Sequence, residues 1–337
     1  MSGQAYVEPV AAWSVMLDGK DLADKIAPRL FSLTLTERRN ESTDELELTL
    51  NDHDGKLTLP ALGALLNVSI GWEKGTGVQK GLVGKGSFKV DDVTYDGPPD
   101  RVTIRARSAD MASGFRNRKS RTWHGKTLGA IVKQVADDNG LTARCHADLA
   151  AMVVTSAEQS NKSDMQFLRD LGRRYDAVAT VKNKSLIFSP INATTTATGK
   201  PIGSVKLSKS TGDHYRYSKS SRENGQDGAE AQWHDQGTGK RHTQQEGGSN
   251  RRRLKRIYSS QSDAKAAARA ESNRLKRAAA TMEINMALGD ATITAGMGAT
   301  ASGFKAEIDK HSWKIATVKH VFDSRGFRTE LEMEVAG

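Results

Sequence analysis

Two stretches near opposite ends of the chain alternate apolar and polar residues with a period of two, and that period constrains the fold more than any other feature. Leu46, Leu48 and Leu50 interleave with Glu45, Glu47 and Thr49; Phe327, Thr329, Leu331, Met333 and Val335 interleave with Arg328, Glu330, Glu332 and Glu334. Successive side chains of a strand point to opposite faces, so each run gives one buried and one wetted face. The segment FSLTLT repeats the pattern, turn signals recur at Asp18-Gly19, Asp54-Gly55 and Asp96-Gly97, and NVSIGW and RVTIRARS fill the gaps. Several short punctuated strands point to a sandwich or barrel over residues 1–107. At the other end, SWKIATVKHVF, DSRG and FRTELEMEV predict a hairpin.

The pattern changes from about residue 108. TLGAIVKQVADDNGL sets Leu128, Ile131, Val132 and Val135 on one helical face and ends at Asn139-Gly140. SDMQ at Ser163 reads as a capping box opening a second helix with Leu168, Leu171 and Tyr175 at helical spacing; the strands AVATVKN and SLIFSP follow. Residues 108–192 therefore read as a small α/β unit. NATTTATGKP reads as a linker, and 193–337 as a second β region containing a helix near 261–280, opened by the SQSD box at Ser260. Within it, MEINMAL predicts Met282, Ile284, Met286 and Leu288 on one strand face. Between Ser218 and Asn250 only Ala229, Ala231 and Trp233 are apolar, a composition that by itself predicts disorder. The fold class is α+β, mainly β.

One cysteine, Cys145, excludes a disulfide framework or a Cys-based zinc cluster and fits a reducing cytoplasm. Met1 to Pro9 offers no basic residue and no apolar core of a signal peptide. The uncharged stretch from Leu57 to Trp72 is broken by Pro60, Gly63, Asn67 and Gly71 and is too short to span a bilayer. The net charge of +10 is local: ten Lys or Arg and two acids lie between Arg251 and Arg277.

Catalytic and cofactor motifs are weak. Gly125-Lys126-Thr127 imitates the end of a phosphate-binding loop, but its first glycine falls on Ser120, and Thr127 is better placed to cap the following helix. Gly296, Gly298 and Ala301 outline a dinucleotide fingerprint with no helix behind it, so these glycines are assigned to turns. NDHDG at Asn51 lacks the acids of a calcium loop. The histidines form no HExxH pair, and there is no GxSxG elbow. We expect no enzyme activity, cofactor or metal. The candidate contact residues are Arg251, Arg252, Arg253, Lys255 and Arg256; the alternative is a nucleic-acid-binding regulator using Arg251–Arg277.

The order of blocks carries a resemblance. LTLPALGALLNVSIGW, RKSRTWHGKTLGAIVKQVADDNGL, NKSDMQFLRDLGRRYDA, YRYSKSSRENGQDGAEAQWHDQGTGK, RLKRIYSSQSDAKAAARAESNRLKR and the C-terminal pattern from Ile293 to Met333 together resemble the phage late control D family. That family comprises baseplate hubs of contractile tails and the related hub part of VgrG spikes. The resemblance implies two tail-tube-like barrels, 1–107 and 193–337, flanking an outer α/β domain, 108–192. It further implies a homotrimer that joins a hexameric tail tube to a trimeric spike, with the tape-measure protein as a further candidate partner. No membrane contact is implied, and nucleic acid enters only as passing cargo. The protein would be assembled in the bacterial cytoplasm and remain in the tail of a phage or of a tailocin such as an R-type pyocin, the spike being a separate chain. Cell-wall hydrolysis, which some tail hubs carry in extra domains, has no spare domain here. The family likeness also implies hairpin strands around Tyr215–Lys240, with Trp233 and the Asp235–Gly239 turn structural.

Overall fold

The computed structural model describes residues 6–39, 43–108, 115, 117–182, 184–219 and 225–336. Besides the two-residue strand Lys20–Asp21, the first part of the chain forms six strands, β1 (Val10–Leu17), β2 (Leu30–Arg38), β3 (Glu45–Asn51), β4 (Leu65–Lys74), β5 (Gly81–Asp96) and β6 (Arg101–Ser108). They pair in the order β1-β4-β5-β6-β3-β2, every contact antiparallel. The alternation read from the sequence sets this half's inner face: Leu46, Leu48 and Leu50 are at most 3% exposed and pack with Leu33, Leu35, Val68 and Phe88.

The middle of the chain forms β7 (Arg118–Thr127), helix α1 (Leu128–Asp138), β8 (Thr142–Cys145), β9 (Val153–Ser163), helix α2 (Asp164–Tyr175), β10 (Ala177–Lys182) and β11 (Ser185–Pro190). Both helices start where the sequence predicts, but only half of the Ser163 capping box forms, because the Gln166 side-chain amide donates to Asp170 at 3.1 Å. Thr127 Oγ1 accepts from the Ala130 amide at 3.2 Å and Ser163 Oγ from the Gln166 amide at 3.2 Å, satisfying N–H groups that have no partner inside the helix. β7 and β9 pair as a ribbon, while β10-β11-β8 form a sheet with β8 parallel to β11. One face of that sheet, with Ala177, Ala179, Val181, Leu186 and Phe188, closes over the helices in a separate core. The opposite face is taken up below.

The remaining elements are β12 (Ser204–Ser208), β13 (His214–Lys219), β14 (Gly228–His234), β15 (Arg241–Gly247), β16 (Arg251–Tyr258), helix α3 (Gln261–Arg277), β17 (Ala280–Met286), β18 (Gly298–Ser302), β19 (Ser312–Asp323) and β20 (Gly326–Val335). The β19–β20 hairpin turns at Asp323–Gly326 as expected. MEINMAL departs from expectation at its end: β17 stops at Met286 and Leu288 is 43% exposed, because the chain turns there and the Gly289 amide bonds the Phe327 carbonyl. The low-apolar segment is ordered from 225 onward as a hairpin closed at Asp235–Gly239, where the Asp235 carboxylate accepts from the Gly237 amide and the Thr238 hydroxyl. Composition misleads there because α3 supplies the cover, and alanines suffice beneath it; residues 220–224 of the segment lie outside the described residues.

β12, β13, β17, β18, β19 and β20 pair in the order β12-β18-β19-β20-β17-β13. Taken in chain order within each half, this is the same permutation as in β1 to β6. The match extends to single residues. Leu35-Leu46-Ala106-Val90 run across β2-β3-β6-β5, and Tyr217-Met282-Met333-Ile315 run across β13-β17-β20-β19. The next row matches Leu33-Leu48-Ile104-Val93 with Tyr215-Ile284-Leu331-Val318. Both halves carry a register shift at the same place, Val90/Asp92 and Ile315/Thr317. The preceding loops also agree: Gly63 N–H donates to Val90 O at 2.8 Å and Val90 N–H to Ala64 O at 2.9 Å, while Gly296 N–H donates to Ile315 O at 2.9 Å and Ile315 N–H to Met297 O at 3.0 Å. One difference remains in direction: β1 is antiparallel to β4, whereas β12 is parallel to β18.

Two closed barrels were expected; among the described residues neither half closes on itself. Instead β19 uses one edge twice. Ser312–Lys314 pair with β18, and Thr317–Phe322 pair antiparallel with β2, so the halves join in one thirteen-stranded sheet that includes the short strand Lys20–Asp21. The edge of β2 that would have to meet β1 to close the first half is occupied by β19.

Candidate interaction surfaces

The five cations singled out in the sequence all lie on β16, an edge of the three-stranded sheet β15-β14-β16. α3 packs on that sheet through Ala231, Ala264 and Ala268, small residues that let helix and strands approach closely, with Trp233, Leu254 and Tyr258 around them. Arg252 reaches Glu271 at 3.2 Å and Arg253 reaches Glu230 at 3.6 Å, so local acids offset two of the five charges. Arg251 is half-buried opposite Gly228. Lys255 and Arg256 occupy an irregularity where β14 advances from Glu230 to Gln232 while β16 advances from Arg253 to Ile257. Both are exposed and make no ion pair among the described residues. The aromatics here, Tyr258 and its pairing partner Trp233, are half-buried, and burial pushes the Tyr258 hydroxyl above the ordinary tyrosine range. A charged edge of this kind resists unspecific strand pairing.

On α3, Lys265, Arg269, Arg274 and Lys276 face water. Arg277, on the same helix, is turned inward. Its guanidinium lies 2.5 Å from Asp176 and 3.1 Å from Glu334, and Arg39 joins the same Glu334 carboxylate. The network ties the end of α2, the end of α3, β20 and the exit of β2 together. Asp176 occupies the left-handed cap of α2 with φ 54°, Tyr175 Oη donates to Asp263 at 2.9 Å, and Asn273 donates to Asp176 at 3.0 Å. The RRYDA end of the second helix is thus a docking element.

The groups that could do chemistry are committed elsewhere. Burial pushes the Cys145 thiol up to about 11, which leaves it un-ionised at neutral pH. His320 is fully buried, its Nδ1 3.0 Å from Thr329 Oγ1; burial and then the Lys85 charge bring its pKa down to about 3, so the ring is neutral. Burial alone would raise the pKa of Asp164, but bonds from Lys119, Gln159 and Asn139 and the charge of Arg121 hold it below the usual carboxylate range. No cluster of three or more His, Cys, Asp or Glu among the described residues is placed to hold a metal. Gly296, with φ +94°, serves a turn as expected, but Gly298 opens β18 and is a strand residue. No helix among the described residues is long and apolar enough to cross a bilayer.

Two further surfaces were not legible in the sequence. The outer edge of β13 has no strand partner among the described residues, and neither has the edge of β5 beyond Lys89, where β4 ends. β13 carries His214, Arg216 and Lys219, whereas the free part of β5 carries Asp91, Asp92 and Asp96. Arg107 already pairs with Asp91 at 3.0 Å and Arg105 with Asp92 at 3.6 Å, leaving Asp96 as the exposed carboxylate at the end of that edge.

Comparison with known proteins agrees with this architecture. The chain matches the phage tail baseplate hub (GPD) family over residues 36–326. It is 35% identical to a probable baseplate hub protein of Escherichia phage P2, in an alignment covering 96% of this chain and 92% of that protein. Among solved structures, the 43 kDa tail protein of prophage MuSo2 from Shewanella oneidensis superposes with a TM-score of 0.68 at 14% identity, covering 97% of this chain and 98% of the other. An E. coli component of the type VI secretion system, described as structurally similar to two tail proteins of bacteriophage T4, superposes with a TM-score of 0.55 at 10% identity, covering 91% and 73%. These structures share the fold, and the sequence match settles the family: the chain belongs to the phage tail baseplate hub proteins, which are structural components and not enzymes.

Proposed function

We propose that this hub works as a homotrimeric adaptor in which three copies, each contributing two tube-like halves, form a ring of six. One face of the ring meets the hexameric tail tube and the other seats the trimeric spike. The domains are 1–107, 108–192 and 193–337, with the α/β unit outside the ring and the assembly completed in the bacterial cytoplasm. One observation carries the reading: the halves repeat the same strand order, and the first half's second strand, β2, pairs with the second half's fifth, β19. The equivalent strands, β13 and β5, have six strands between them in the sheet order, and among the described residues the outer edge of β13 and the edge of β5 beyond Lys89 have no strand partner. Joining β13 of one copy to β5 of the next repeats the internal junction and gives a head-to-tail contact, the kind that closes into rings.

The register follows from the internal junction. Thr34 faces Val321 and Leu35 faces His320 across β2–β19. The equivalent positions set Arg216 against Asp96 and Tyr217 against Tyr95, an opposite-charge pair beside an aromatic pair. The 53% exposure of Tyr95 in the single chain fits a residue that another copy covers. Nucleic acid is the weaker partner for β16, since Glu230 and Glu271 already draw on its charge and no exposed aromatic is there to stack on bases.

The test is a charge swap on the full chain, read by native mass spectrometry. Asp96→Arg and Arg216→Asp should each weaken trimer formation by tenfold or more, and the double variant should recover it. A wild-type protein that stays monomeric at tens of micromolar, or a double variant no better than the singles, would overturn the proposal.

A further inference from the structure

The sheet β10-β11-β8 hides one face in the α/β core; its other face is unpaired. Val178, Thr180 and Lys182 of β10, Ile187 and Ser189 of β11 and Arg144 of β8 point instead into a cleft of about 460 Å³. The far wall belongs to the main sheet: Lys314 of β19, Met297 and its neighbours before β18, and Arg38 and Arg39 at the exit of β2, with the 191–202 connection along one side. Two kinds of group meet there. The floor is aliphatic, formed by Val178, Ile187, Ile191, Ile202 and Met297, and no aromatic ring lines it. The charged groups are Arg38, Arg39, Arg144, Lys182 and Lys314, with no carboxylate among them.

Three of these cations are satisfied from outside the cleft. Arg38 pairs with Glu45 at 2.9 Å, Lys182 with Asp44 at 3.1 Å, and Arg39 with Glu334. Arg144 and Lys314 differ: neither has a carboxylate partner among the described residues. Lys314 is 6% exposed, and its ammonium donates to the Ala193 carbonyl at 2.8 Å. Burial, and then the Arg39 charge, lower its affinity for the proton. A buried ammonium facing a cleft without an anion is an electrostatic debt that a bound negative group would discharge. Lys89, at the matching position of the first half, is exposed. Lys314 is buried because the 193 region of the connection folds over it, and that same connection walls the cleft.

We propose that this cleft binds an acidic peptide segment of a partner protein, one carboxylate set between Arg144 and Lys314 and a neighbouring aliphatic side chain on the Val178–Ile187 floor. A peptide fits better than a nucleotide strand, because the floor offers methyl groups where bases would need rings to stack on. Because the two walls belong to the α/β unit and to the main sheet, the bound segment bridges them and fixes their angle. None of its lining residues belongs to β5 or β13, so the site does not depend on ring formation.

The experiment is a selection of random heptapeptides with free C-termini on the immobilised full chain, run in parallel on Arg144→Glu. Arg144 is exposed, so the substitution leaves the core untouched, and circular dichroism checks this. The expected pool is enriched in Asp, Glu or a terminal carboxylate next to Leu, Ile or Val. Its best peptide should lose tenfold or more in affinity for Arg144→Glu and for Lys314→Met, and a similar factor when its acid is replaced by the amide. It should bind the Asp96→Arg variant as well as wild type. A pool without acids, no enrichment over Arg144→Glu, or displacement of the selected peptide by an equimolar oligothymidylate would each overturn the proposal.

Discussion

The two halves of the main sheet share a strand order and an inner face, and of the matched residues only a few, such as Gly63 and Gly296, Lys89 and Lys314, and Val93 and Val318, are identical. Phe88 and Trp313 occupy the same position, two residues before the matched pair Val90 and Ile315, and are 2% and 1% exposed. Leu33 and Leu35 correspond to Tyr215 and Tyr217, and Ala106 to Met333. Apolar or aromatic character and backbone pairing are kept at these positions, while volume, edges and outer faces diverge. The outer positions decide what each half meets: Lys89 meets water and Lys314 the connection, Tyr95 is uncovered and His320 lies under β2. A repeated scaffold thus acquires different contacts through residues that do not set its fold.

The largest expected effect tests whether the halves are one cooperative body. Phe88→Ala and Trp313→Ala should each cost about 3–5 kcal/mol, the price of emptying a fully packed aromatic site. Because β2 and β19 share backbone hydrogen bonds, both variants should lower the midpoint of the same urea transition followed by far-ultraviolet circular dichroism. Two transitions, one moved by each variant, would show that the halves are independent and that the β2–β19 seam is weak.

The next effect separates His320 from Tyr95. The folded state holds His320 neutral down to about pH 3, whereas the unfolded chain takes up a proton near pH 6.5. Stability from this residue is therefore complete above about pH 6.5 and is lost as the pH falls toward 3, because the unfolded state binds the extra proton. Between pH 7 and pH 5 the loss should be about 2 kcal/mol, and His320→Gln should lack it in paired denaturation series. Tyr95→His sharpens the comparison. In a ring closed through β5, that histidine should titrate low like His320; in the Asp96→Arg background it should titrate near its ordinary value, as read by the C2 proton shift.

How much of this was written legibly follows the same division. Period-two alternation marked β3 and β20 because both have one buried face, and the caps at Thr127, Ser163 and Ser260 depend only on local hydrogen bonds. Leu288 was misplaced because its surroundings are set by a distant partner, the Phe327 carbonyl that holds Gly289, and the burial of Arg277 against Asp176 and Glu334 likewise depends on partners far away in the chain. The cationic run at Arg251 was visible; that Glu230 and Glu271 would answer two of its charges was not. The repeat leaves only a short trace in the sequence, Phe88-Lys89-Val90 with Val93 against Trp313-Lys314-Ile315 with Val318, while residues such as Ala106 and Met333 share a pairing partner's place and little else. Arg144 and Lys314 are far apart in the chain, so only the packed structure shows that they face one cleft.

The smallest effect is the most direct measure of the duplication. Gly63 and Gly296 precede β4 and β18 and hold φ +90° and +94°, a region that L side chains rarely enter. Each donates its amide to the matched residue of the fifth strand, Val90 or Ile315. A methyl added at Gly63 would lie 3.3 Å from Cε of Lys89, the mobile part of an exposed side chain, and one added at Gly296 would lie 3.9 Å from Cγ of Arg39. Neither site therefore adds a serious clash, and the backbone strain is left as the common term. Gly63→Ala and Gly296→Ala should each cost about 1 kcal/mol and differ by less than about 0.5 kcal/mol in the same denaturation assay. Unequal costs would mean that one loop relaxes out of its left-handed turn where the other cannot, and that the two halves match in pairing but not in rigidity.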